Sequence, residues 1–109
     1  MVTAVYIGKF NSQAFDYNKK GDWNSYFPEA ISPWYYQCCL YWDIFKAPNV
    51  KQTDWGCWVI KMSKSELTVF ITDKYRKFES KADDLKEMLS FVDTFNDTDE
   101  YLLTAIEVM

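Results

Sequence analysis

Three thiols, sixteen carboxylates and twelve basic side chains are the reactive groups of this 109-residue chain, which contains no histidine. That gap removes the commonest general base, the commonest metal ligand and the usual switch near neutral pH. Cys38 and Cys39 are adjacent, and no CxxC spacing exists to begin a zinc site. Neighbouring residues on a strand point to opposite faces, so these two are poorly placed to bond each other. Reduced, buried thiols are the simplest expectation, with Cys38–Cys57 or Cys39–Cys57 as the disulfide alternatives. Ser63–Lys64–Ser65 has the composition of a Ser–Lys pair but reads as a turn. The carboxylates of Asp83, Asp84, Asp93, Asp97, Asp99 and Glu100 fall on a helix face and in a turn, not in a converging cleft. The NDTDE turn lacks the glycine and terminal glutamate spacing of an EF-hand. The three glycines belong to no phosphate-cradling pattern. The expectation is therefore no catalytic residue, no metal and no cofactor.

The stronger signals are aromatic content and charge distribution. Five Trp, eight Tyr and eight Phe stand in 109 positions, a large apolar content and, where exposed, a recognition surface. The net charge of −4 is unevenly spread: residues 1–43 carry −1, residues 44–78 carry +4 and residues 79–109 carry −7. An acidic chain is a poor duplex binder. Lys74–Tyr75–Arg76–Lys77–Phe78 interleaves cations with rings in a way that could hold a single strand, but a solvated connection that pairs with the acidic start of the following helix is the favoured reading. No apolar run approaches the ~20 residues of a membrane span, and the first residues read as a strand, not a leader. A cytoplasmic location follows as an expectation.

The elements that must position these groups form one α+β domain over residues 1–109. Alternation over 2–10 predicts a strand covered on both faces. Residues 11–32 are polar with scattered rings, and predict either a helical turn near Trp23–Phe27 capped by Asp22 or a recognition loop. Residues 33–46 would be apolar all round as a helix but sort onto two faces as a strand, which aromatic enrichment favours. A hairpin is predicted across WGCWVIKM–SKSE–LTVFITD, pairing Met62 with Leu67, Ile60 with Val69 and Trp58 with Ile71. A helix follows from about Ser80 to Phe95, N-capped by Ser80 and burying Ala82, Leu85, Met88, Leu89, Val92 and Phe95. YLLTAIEV closes the chain as a strand. The order β–loop–β–β–β–α–β predicts a mostly antiparallel sheet of about five strands with one helix on a face.

In small size, acidity, aromatic richness, the WGCWVIKM segment, the ADDLKEMLSFV helix and the terminal YLLTAIEV strand, the last 55 or so residues resemble the immunity proteins that bacteria pair with polymorphic toxins. That resemblance implies stoichiometric inhibition, by charge-complementary blocking of a toxin's nucleic-acid or substrate surface. Asp83, Asp84, Glu87, Asp97, Asp99 and Glu100 would then supply the charge, with Trp23 and Tyr26 as anchors. A phage-encoded inhibitor of a nucleic-acid-handling complex would use the same physics. The competing expectation is a small-molecule-binding or catalytic domain, with Trp34, Tyr36, Trp42 and Trp58 lining an aromatic pocket on one sheet face.

Overall fold

The computed structural model describes residues 2–13, 17, 27–77 and 83–108. Its frame is a five-stranded antiparallel sheet. The strands are β1 (Val2–Lys9), β2 (Tyr35–Tyr36), β3 (Lys51–Asp54), β4 (Cys57–Ser63) and β5 (Glu100–Val108), in spatial order β2-β1-β5-β4-β3. Helices α1 (Leu40–Lys46), α2 (Lys64–Lys77) and α3 (Asp83–Val92) complete the described elements. The α+β class and the five antiparallel strands agree with the sequence reading, whereas three helices replace the single one.

β5 explains why the layers form. Tyr101 to Ile106 are six consecutive buried residues, so this strand needs cover on both faces as well as partners on both edges. β1 pairs with it from Val2↔Val108 to Lys9↔Tyr101, and β4 from Cys57↔Ile106 to Ser63↔Glu100. One face joins Val5, Ile7, Ile60, Tyr101, Leu103 and Ala105 to the buried sides of all three helices. The other holds Ala4, Tyr6, Cys57, Val59, Leu102 and Ile106, with Phe10, Tyr17 and Ala30 packed against them. On that second face Trp34 stacks on Tyr6 at 5.2 Å, and the Tyr6 hydroxyl donates to the Pro28 carbonyl at 2.6 Å.

The stretches of β1 and β4 that the short strands β2 and β3 leave open are taken by side chains and irregular backbone. Along β1, Gln37 N–H donates to Thr3, Ile31 N–H donates to Ile7, and the Ser32 hydroxyl accepts from Ile7 N–H at 2.8 Å. Along β4, β3 reaches only as far as Val59. Beyond it the Tyr17 hydroxyl accepts from the Lys61 backbone and donates to the Asn49 carbonyl. Glu66 accepts from Ser63 N–H. Such capping removes the template for strand addition that an open edge offers.

Two predicted elements are corrected. The segment LTVFITD is not a strand but the body of α2. Ser63 and Glu66 form a reciprocal capping box, with Glu66 N–H on the Ser63 hydroxyl at 3.2 Å and Ser63 N–H on the Glu66 carboxylate at 3.1 Å. Helix formation buries Leu67 and Ile71 at i, i+4 and leaves Val69 outside, so tertiary packing overrides the β-branched propensity. β4 therefore takes its second partner from β5, with Ile60 opposite Leu103 and Trp58 opposite Ala105. Within 33–46, only Tyr35–Tyr36 is strand and Leu40–Lys46 is helix. The predicted C-terminal helix exists over Asp83–Val92 with Leu85, Met88 and Val92 buried. Its Ser80 cap and Ala82 fall outside the described residues, as does most of the proposed turn near Trp23.

Gly8 is the position where backbone must pass closest. A β-carbon there would lie 2.8 Å from Pro28 Cβ and 2.9 Å from the Glu29 carbonyl oxygen. Gly8→Ala is expected to push residues 28–30 off the β1 edge and cost about 1–3 kcal/mol, read as a lower urea midpoint. Ser63→Ala is expected to cost about 1 kcal/mol through the lost cap, read in the same way.

Candidate functional site: an exposed aromatic cluster on α1

α1 is short and, apart from Asp43 and Lys46, apolar, so burying one side leaves rings on the other. Leu40, Tyr41 and Ile44 face the core, while Trp42 is 57% and Phe45 40% exposed. These outward rings are held in place by their neighbours. Tyr41 is the hub: Trp42 meets it edge-on at 5.1 Å, Trp58 of β4 edge-on at 6.1 Å, and Phe45 stacks at 6.5 Å. Phe45 also meets Trp58 at 5.0 Å and Trp42 at 5.7 Å, both close to perpendicular. The Tyr41 hydroxyl donates to Glu107 on β5 at 3.2 Å, which fixes the hub to the sheet. Each such ring pair contributes about 0.5–1.5 kcal/mol beyond area burial. The cluster is a preformed platform, and leaving a tryptophan ring half in water forgoes on the order of 1–2 kcal/mol of burial.

The acidic residues divide into two groups. Asp97, Asp99 and Glu100 are drawn against lysines from three elements: Lys64 at 3.7 Å, Lys9 at 3.5 Å and Lys61 at 3.3 Å. Lys64 also donates to the Asp93 carbonyl at 3.0 Å. The turn is thus largely neutralised within the chain. On α3, Asp83 and Glu87 are exposed and, among the described residues, have no ion-pair partner. Asp84 is half-buried, accepts from Leu85 N–H at 2.8 Å, and faces the Cys38 thiol. The first turn of α3 therefore lies beside Cys38 and Cys39, at the start of α1. Trp23 and Tyr26 fall outside the described residues.

The four rings expected to line one pocket are split between the sheet's two faces. Trp34 stacks on Tyr6 and leans against Tyr36 at 6.2 Å on one side, whereas Trp58 packs with α1 on the other. The basic run is also taken apart. Lys74 bridges to Asp43 of α1 at 2.8 Å and Tyr75 packs against the core, while Arg76 and Lys77 are exposed and Phe78 lies outside the described residues.

Comparison of the chain with family models, with curated proteins and with solved structures finds no match in any of the three.

All three cysteines are free thiols. Cys38 packs on the helix face of the sheet and Cys57 on the opposite face, which rules out the Cys38–Cys57 bridge. Burial raises the affinity of each thiol for its proton. Cys57 moves from the ordinary value of 9.0 to about 11, Cys38 moves further in the same direction with Asp84 adding to it, and Cys39 is raised as well. At neutral pH none is a thiolate, the form a nucleophile requires. Tyr35 and Tyr41 rise from 10.0 to about 12, mainly by burial, with carboxylates (Glu87 and Asp84 for Tyr35, Glu107 for Tyr41) adding to it.

These groups are neutral when protonated and bind their protons more tightly in the folded chain. Their contribution is therefore complete below about pH 9 and is lost as pH rises from about 9 to 12. The urea midpoint should stay level to about pH 9 and then fall. At pH 8 iodoacetamide should label half-buried Cys39 well before Cys38 or Cys57, by peptide mapping.

Proposed function

We propose that this chain is a small acidic inhibitor of the immunity or anti-defence kind, which blocks a basic protein by stoichiometric binding. The observation that carries the reading is the α1 cluster, where Trp42 and Phe45 are fixed on Tyr41 and Trp58 yet left in water. Trp and Tyr dominate the residues that supply interface affinity, and rings already locked in place lose little freedom on binding. These rings take the anchoring part that the sequence assigned to Trp23 and Tyr26.

Charge supports the same partner. The chain carries −4 overall, and the carboxylates Asp83 and Glu87, without an ion-pair partner among the described residues, lie on the helix that begins beside α1. Their field would speed encounter with a basic surface and exclude acidic ones, while the rings set the dissociation rate. The neutralised turn of Asp97, Asp99 and Glu100 is then a scaffold element that holds β1, β4 and α2 together. With the thiols protonated at neutral pH and the α1 rings accessible, binding is the activity these groups support.

The test is co-expression with the products of neighbouring genes, followed by calorimetry on any protein that co-purifies. Trp42→Ala with Phe45→Ala is expected to weaken binding by about 2–4 kcal/mol while leaving the fold's circular dichroism unchanged. Asp83→Lys with Glu87→Lys should slow association and flatten its salt dependence, with little change in dissociation. A partner bound equally well by the Trp42→Ala, Phe45→Ala variant would overturn the proposal.

A further inference from the structure

The solvent side of α2 carries a second feature. Among its exposed residues, Ser65, Glu66, Thr68, Val69, Asp73, Arg76 and Lys77, only Val69 is apolar, and it is 60% exposed. Val69 and Phe70 of the helix and Met62 of β4 line a groove of about 390 Å³, with Glu66, Asp73 and Ser65 on its walls. A smaller hollow of about 200 Å³ continues it between α2 and α1, where Phe70 and Asp73 form part of both and Asp43, next to Trp42, joins them. This hollow toward α1 is mixed in character, with Leu40 and Phe70 apolar and Asp43, Asp73, Lys74 and Lys77 charged. Strand addition is closed off beside it, because Tyr17 takes the Lys61 N–H and Glu66 takes the Ser63 N–H. Whatever enters must meet side chains.

Charge and spacing specify the occupant. Glu66 and Asp73 are seven residues apart on one helix, hence about 10 Å along its axis, with Val69 and Phe70 between them. Among the described residues Asp73 has no ion-pair partner, whereas Lys74 at the α1 end is tied to Asp43. Two acidic residues set about 10 Å apart along the helix, with Val69 and Phe70 between them, match two cations of similar spacing flanking an apolar side chain. That separation corresponds to seven residues on a partner helix or three on an extended segment.

We propose that the α2 groove seats one apolar side chain of a partner protein's segment whose flanking Lys or Arg residues pair with Glu66 and Asp73. The inference deepens the reading above and rests on it for the partner being a basic protein. The probe is a helical peptide with Lys at positions i and i+7 and a single Leu midway, set against the same peptide with Glu for both Lys. Binding is read from the methyl resonances of Met62 and Val69. The lysine peptide is expected to shift both, and to bind about tenfold or more tightly than the glutamate peptide at low salt. Val69→Lys should abolish the shifts, and Asp73→Lys should weaken binding about tenfold. Both positions are exposed on α2, and an unchanged backbone amide spectrum confirms the fold. Shifts that persist in the Trp42→Ala, Phe45→Ala variant support the groove independently of α1. The proposal is overturned by shifts lost in that variant, by no shift at Met62 or Val69 up to about 1 mM peptide, or by equal binding of the glutamate peptide.

Discussion

Every other feature of this molecule follows from β5 having to be dry on both faces and paired along both edges. A strand with six consecutive buried residues cannot sit at the surface of a two-layer domain. It is placed at the centre with β1 and β4 beside it, three helices beneath it and the residues around Phe10, Tyr17, Pro28 and Trp34 above it. With the middle strand fixed, the flanking strands can be short. β2 is two residues and β3 four, and the backbone they leave open is taken by Ser32, Gln37, Tyr17 and Glu66.

The same constraint produces the candidate site. An interior built around one central strand holds fewer rings than the sequence supplies. Surplus rings must face water, and on α1 they do so as a braced cluster. The opposite face repeats the arrangement on a smaller scale: Tyr6 is buried beneath Trp34 and spends its hydroxyl on Pro28, while Trp34 and Tyr36 stand partly in water. On α1 the buried hub gathers three rings, two of them exposed. Electrostatics divides in a similar way. Exposed pairs such as Lys9–Asp99 each add only about 0–1 kcal/mol, yet together they offset much of the charge of the acidic turn, whereas Asp83 and Glu87 on α3 have no ion-pair partner among the described residues.

What could be read from the residues, and what could not, has a physical pattern. β1, β5 and α3 were legible because each carries a clean local period or an unbroken apolar run with its own boundary signals. α2 was hidden because Leu67, Val69 and Ile71 alternate as a strand would, and the Ser63–Glu66 box that starts the helix resembles a turn. α1 was hidden for a more instructive reason. Its apolar residues on every side argued against a surface helix, and that conflict between local pattern and fold is where a binding surface is expected. The acidic residues were visible as residues, but no local pattern could show that Lys9, Lys61 and Lys64 converge on one turn from three elements. Neither could composition reveal that Trp34 and Trp58 lie on opposite faces of the sheet.

On the reading proposed above, the α1 rings stand in water until a protein partner covers them. The most direct test of that reading is fluorine NMR of the chain labelled with 5-fluorotryptophan, reading the solvent isotope shift of each tryptophan before and after complex formation. The account requires a large shift for Trp42 in the free chain that collapses in the complex, while Trp55, equally exposed at 55% in the β3–β4 turn, keeps its shift. A Trp42 signal already shielded in the free chain, or still fully solvated in the complex, would contradict it.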